Sequence, residues 1–184
     1  MHAAASAAVS NDAPPDVDFE QYVLDSRQRL YRFAVVLCGD TVLAGDLLTD
    51  VLGRAFERWH QVAAARDPHA YVRRMLVNEF ISWQRRRART TPHAEVGRLV
   101  DLFGGDPAPD PATVHSERAA LRQDLARLPA RQRAAIVLRY YADLSDEDIA
   151  AEMGCRIGTV RSLISRGLAT LRVTRSASQD RTTS

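Results

Sequence analysis

Residues 144–171, LSDEDIAAEMGCRIGTVRSLISRGLATL, constrain the fold of this chain more than any other stretch. Ser145 is a good helix N-cap, Asp148 three residues on supplies a capping-box-like partner, and Leu144 can staple onto Ile149, so a helix starts here. Its apolar positions are Ile149, Ala150 and Met153, and Gly154, which tolerates left-handed backbone, predicts its end. After a turn at Gly154-Cys155-Arg156, the residues Ile157, Val160, Ile164, Leu168 and Leu171 recur in steps of three and four. At about 100° per residue they form one stripe. Thr159, Ser162, Ser165 and Arg166 fall on the opposite face, with Arg161 beside them. Two helices, a glycine turn and a second helix showing hydroxyls and arginines make a helix-turn-helix whose second helix can enter a major groove. An αα-hairpin with a solvated polar face fits the same pattern.

The rest of the chain repeats the helical period and shows no strand pattern of any length. Phe19 to Leu37 carries apolar residues at helical spacing and is broken by Gly39-Asp40. Thr41 to Trp59 is amphipathic, with Asp46 and Asp50 four apart on one side and Arg54 continuing the row, by itself a solvated face with an ion pair. His60 to Pro68 reads as a loop, with Pro68 placed to open the next helix. That helix, Ala70 to about Arg87, is the basic centre of the first half: over residues 71–92, six arginines against Glu79 give +5. Arg74, Asn78, Ile81 and Arg85 share one face. Interleaved Tyr71, Phe80 and Trp83 add the flat rings that a nucleic-acid site needs beside its cations, although Trp83 shares a side with Val72 and Leu76 and reads as core.

From residue 90 to 113 the pattern breaks. Gly104-Gly105, then Pro107, Pro109 and Pro111, with acids in excess, mark a linker with room for a short helix over 96–103. Beyond it, residues 114–128 and Ala130 to Tyr141 are helical, with Pro129 at a helix start, and the helix-turn-helix completes the unit. The predicted fold is therefore all-α: a disordered tail over 1–18, a helical domain over 19–89, a flexible linker over 90–113, a second helical domain over 114–175, and a disordered tail over 176–184.

Composition narrows the function. With 184 residues and a net charge of +2, any nucleic-acid surface must be local. All 25 basic residues are arginine, which suits forked contacts with phosphate and guanine, but the total absence of lysine is better explained by a G+C-rich genome than by selection at each site. Cys38 and Cys155 lie far apart, without a second ligand at metal spacing, so neither a disulfide framework nor a metal site is expected, and a reducing cytoplasm fits. No secretory signal and no membrane-length apolar run is present. The chain has no phosphate-binding glycine loop and no nucleophile elbow, and His2, His60, His69, His93 and His115 lie mostly in tail, loops and linker. No catalytic residue, cofactor or enzymatic activity is expected.

Four blocks carry a resemblance: GDTVLAGDLLTDVLGRAFERW, DPHAYVRRMLVNEFISWQRRR, LARLPARQRAAIVLRYYADLSDEDIAAEMGC and GTVRSLISRGLATLR. In this order and spacing the chain resembles the extracytoplasmic-function (ECF) sigma factors of the sigma-70 family, most closely the actinobacterial SigE-like group. The resemblance implies region 2 in the first half and region 4 in the second. It implies that Asp46, Leu47, Asp50 and Arg54 dock on the β′ clamp of core RNA polymerase, with the β flap a further partner surface. Arg74, Asn78 and Arg85 would read and melt the −10 element, and Thr159, Arg161, Ser162, Ser165 and Arg166 would enter the −35 major groove of promoter DNA. The sequence departs from the family pattern at Gly45, Thr49, Gly53, Arg156 and Leu163. It leaves open the promoters read, the inducing signal and the existence of an anti-sigma partner. The rival reading is a helix-turn-helix regulator acting on an operator without joining polymerase.

Overall fold

The computed structural model describes residues 18–90 and 120–182, with side chains described through 89 and 173. Both the expected N-terminal tail and most of the linker, including its short helix, lie outside the described residues. Among those described, the chain is helical throughout, as expected. The helices are α1 (Phe19–Cys38), α2 (Thr41–Glu57), α3 (Trp59–Ala63), α4 (Pro68–Thr90), α5 (120–126), α6 (Ala130–Tyr140), α7 (Asp146–Met153) and α8 (Ile157–Thr182).

Local chemistry sets most of these boundaries. Gly39, at φ 74°, closes α1 by donating its N–H to the Val35 carbonyl, and Asp40 opens α2 by accepting from the Leu43 N–H at 2.8 Å. Asp67 accepts from the Ala70 N–H at 3.0 Å, so Pro68 stands first in α4 as its fixed φ favours.

Two expectations change. The stretch after Trp59 is not all loop: Trp59 packs on Phe19 and Tyr22, with ring centroids 5.3 and 5.0 Å away, and Val62 is fully buried, which holds one helical turn as α3. The backbone expected to be a disordered tail from 176 stays helical to Thr182, because no glycine or proline follows Leu171 to stop it.

The first half packs α1 on α2, with α4 lying across both. Leu30, Leu37, Val51, Val72, Leu76, Val77 and Phe80 are among its fully buried residues. This core runs without a break into Ala134, Val137, Leu138, Ile149 and Val160 of the second half. The two halves are therefore closed on each other, with α4 touching both α6 and α7. Two arginines bind the seam. Arg73 of α4 forks onto Glu152 of α7, its Nε 3.0 and 3.2 Å from the two carboxylate oxygens, with both side chains largely buried. Arg133 of α6, only 3% exposed, donates to the carbonyls of Leu37 and Cys38 at the end of α1 and to that of Ala126, and lies over the Phe80 ring at 5.4 Å. It thus caps carbonyls that the last turn of α1 leaves without intrahelical donors.

Candidate polymerase and promoter surfaces

On α2 the acidic row separates by face. Asp46 and Asp50 are exposed, whereas Leu47 is 3% exposed and points into the core with Leu48 and Val51. In this fold Leu47 is thus a packing residue: a side chain one step from Asp46 is turned about 100° away from it. The expected side-chain pair of Asp50 with Arg54 is also replaced. Arg54 donates to the Asp50 carbonyl at 3.2 Å and pairs at 2.7 Å with Glu79 of α4, which also takes Arg86 at 2.7 Å. Burial pushes the Glu79 carboxyl up, but the bonds from Arg86 and Arg54 outweigh it and hold it below its usual value. Arg54 thus ties α2 to α4 and leaves the Asp50 carboxylate outward. Gly45 is buried and Thr49 turns its hydroxyl onto the Gly45 carbonyl at 2.9 Å, so neither adds charge to the row.

On α4, Arg74, Asn78 and Arg85 are exposed, with Ile81 half-buried among them, and Val72, Leu76 and Val77 are buried behind. The ring pattern resolves differently from expectation. Phe80 is wholly buried and belongs to the core, since it lies under Arg133. Tyr71 and Trp83 are half-buried, and Trp83 carries the Arg87 guanidinium at 5.2 Å from its ring centre. The face of α4 that holds Arg74, Asn78 and Arg85 thus presents two cations and one amide, with partly open rings elsewhere on the helix.

The helix-turn-helix forms as its sequence signals. The Ser145 hydroxyl accepts from the Asp148 N–H at 3.1 Å, Gly154 closes α7 at φ 59°, and the Arg156 carbonyl accepts from the N–H groups of Thr159 and Val160. Val160 is fully buried and Ile164, Leu168 and Leu171 half-buried, while Ile157, at the start of the stripe, stays 37% exposed. Leu163 is half-buried. Thr159, Arg161, Ser162, Ser165 and Arg166 are all exposed. Gly167 lets α8 approach α6, for a Cβ there would stand 2.5 Å from Ile136 Cδ1.

Several residues that organise these surfaces escaped the sequence reading. Asp146 takes both Arg139 and Arg161, although of the acids at the start of α7 the sequence singles out only Asp148, as a capping partner. Arg133 was discoverable as a cation on the Ile136/Val137 side of an apolar helix, and Glu152 as an acid beside Ile149 and Met153. The two cysteines are free, and burial pushes the Cys38 thiol up to about 12, which makes it a packing group. No described helix is long and apolar enough to cross a membrane.

Residues 23–90 match the family model for sigma-70 region 2, and residues 118–171 the model for sigma-70 region 4. These matches enclose the α2 and α4 faces in one region and the helix-turn-helix in the other. Together they define the class: the chain belongs to the sigma-70 family of RNA polymerase sigma factors. Within it the relatives are of ECF type. The chain is 36% identical over 156 residues to the RNA polymerase sigma-E factor of Streptomyces coelicolor, covering 85% of each. It is 31% identical over 144 residues to the ECF RNA polymerase sigma factor EcfG of Rhodopseudomonas palustris, covering 78% of this chain and 77% of that one. Among solved structures, the sigma factor RpoE of Bartonella quintana, crystallised with the anti-sigma factor NepR, aligns at a TM-score of 0.63 with 29% identity, over 84% of this chain and 94% of that one.

Proposed function

We propose that this sigma factor joins core RNA polymerase in the cytoplasm through Asp46 and Asp50, reads and opens the −10 element with Arg74, Asn78 and Arg85, and reads the −35 major groove with Thr159, Arg161, Ser162, Ser165 and Arg166. The observation that carries this reading is the polar face of α8: all five residues are exposed while Val160 behind them is fully buried, in the second helix of a capped helix-turn-helix. Unstacking bases costs a few kcal/mol each, which the exposed Asn78 amide offsets by hydrogen bonding to an unpaired base. An operator-only regulator leaves the outward acids of α2 and the α4 face without a role.

Occupying both elements requires the halves to part. About 25 base-pair steps of roughly 3.4 Å span on the order of 85 Å, whereas α4 and α7 touch in the closed chain. Polymerase binding therefore competes with the Arg73–Glu152 and Arg133 contacts. A partner that stabilises the closed form would act as an anti-sigma factor, the kind of protein with which the Bartonella relative was crystallised. The test is competition for core polymerase: Asp46→Arg and Asp50→Arg should each bind more weakly with unchanged helicity. Unaltered affinity in both would place the clamp contact elsewhere.

A further inference from the structure

The start of α7 and the recognition helix are joined by a chain of bonds that capping does not require. Arg139 of α6 donates through Nη1 to the Leu144 carbonyl at 2.8 Å and through Nη2 to Asp146. The second carboxylate oxygen of Asp146 accepts from Arg161 Nε at 2.9 Å. Ser145 already caps α7, and Glu147 and Asp148 already place acids in its first turn. Asp146 is therefore spare for the helix end. Its side chain is 17% exposed, against 68% for Arg161, so the acid sits back and the arginine reaches outward.

An acid beside a DNA-reading surface repels phosphate unless it is compensated. Here two guanidinium groups leave the cluster one net positive charge, and the carboxyl is held below its usual value, first by the bond from Arg161. Among the described residues the recorded bond takes Nε and leaves Nη1 and Nη2. That pair is the end-on fork whose spacing matches O6 and N7 of guanine. A long side chain held this way also loses less rotamer freedom when it meets a base.

We propose that Asp146 is a positioning residue for upstream-element recognition: anchored by Arg139, it holds Arg161 by Nε and presents the Nη1/Nη2 edge to a guanine in the major groove. The inference rests on the reading of α8 given above.

The test uses the full chain bound to core polymerase and a pool of duplexes with the upstream positions randomised ahead of a premelted −10 segment. The unaltered chain should enrich guanine at one or more upstream positions, and Arg161→Ala should remove the preference at one of them. Asp146→Ala should lower the preference at that same position about two- to tenfold, with total binding to the pool unchanged or higher because a negative charge is gone. Asp146→Asn, which keeps an acceptor oxygen, should fall between, and the double variant should be no worse than Arg161→Ala. Thermal melts accompany each variant, and if the alanine form is poorly folded the asparagine form decides. The proposal is overturned if the Asp146 variants keep the full preference, if they weaken all positions in parallel, or if Arg161→Ala lowers binding to every sequence alike. If the unaltered chain enriches no upstream base, the reading of α8 itself fails, a result separable from a failure confined to Asp146.

Discussion

Replacing Arg133 with alanine attacks the seam between the halves at a buried cation. The guanidinium donates to the Cys38 carbonyl at 3.0 Å, to that of Leu37 at 3.4 Å and to Ala126, and covers the Phe80 ring. Hydrogen bonds from a charged donor contribute about 1.5–3 kcal/mol, and each buried carbonyl left alone costs about 1–3 kcal/mol. The ring contact adds about 0.5–2 kcal/mol. These terms overlap, and the guanidinium itself resists burial, which lowers its pKa, so the expected net loss is about 3–5 kcal/mol. Against a total stability of about 5–15 kcal/mol this is large. Urea melts of the full chain read it twice. Both tryptophans, Trp59 and Trp83, lie in the first half, whereas helicity reports both halves. With one shared core the two signals should coincide in the unaltered chain. In Arg133→Ala the helicity midpoint should fall and separate from the tryptophan midpoint. Coincident curves shifted by less than about 0.5 kcal/mol, a change typical of an unimportant surface site, would refute the reasoning.

Three further outcomes are expected. Gly53 lies in an exposed turn of α2 with open space where a Cβ would go, so Gly53→Ala should raise stability by about 0.5–1 kcal/mol, read as a higher melting temperature. Burial, then Arg29 and Arg73, push His69 down to about 4. Because its folded pKa lies below the ordinary value of about 6.5, the unfolded chain takes up the proton first, and stability should fall as pH drops from about 6.5 towards 4; His69→Gln should flatten that limb of a pH series of melts. Asn78→Ala should bind polymerase and duplex promoter yet open the −10 segment poorly, with a premelted template rescuing a melting defect but not a base-recognition defect; initiation equal to the unaltered chain on duplex promoter would remove Asn78 from the site.

What was legible in the sequence was local. Ser145, Gly154, Gly39-Asp40 and Pro68 each mark a helix end by chemistry contained within a few residues, and the polar face of α8 follows from its period alone. Asp46 and Asp50 face outward as their spacing requires, but the same spacing carries Leu47 inward, and a family pattern that includes it does not say which neighbour touches a partner. Packing across long separations left no such mark. Arg73 and Glu152 stand 79 residues apart and Arg133 and Cys38 stand 95 apart, so only the folded chain pairs them. Phe80 looked available for stacking until Arg133 was placed over it. Asp146 was hidden by its neighbours, since in SDED any acid reads as a first-turn residue.

On the proposed function, α4 and α8 read two promoter elements at a fixed separation while the chain is joined to polymerase. Mapping transcription start sites over genomic fragments, with core polymerase alone and with the full chain added, tests it most directly. The proposed function requires a new set of starts, each preceded by a shared −10 and a shared upstream element at nearly constant spacing. It would be contradicted if core polymerase alone used the same starts, or if the chain bound DNA upstream yet added no starts.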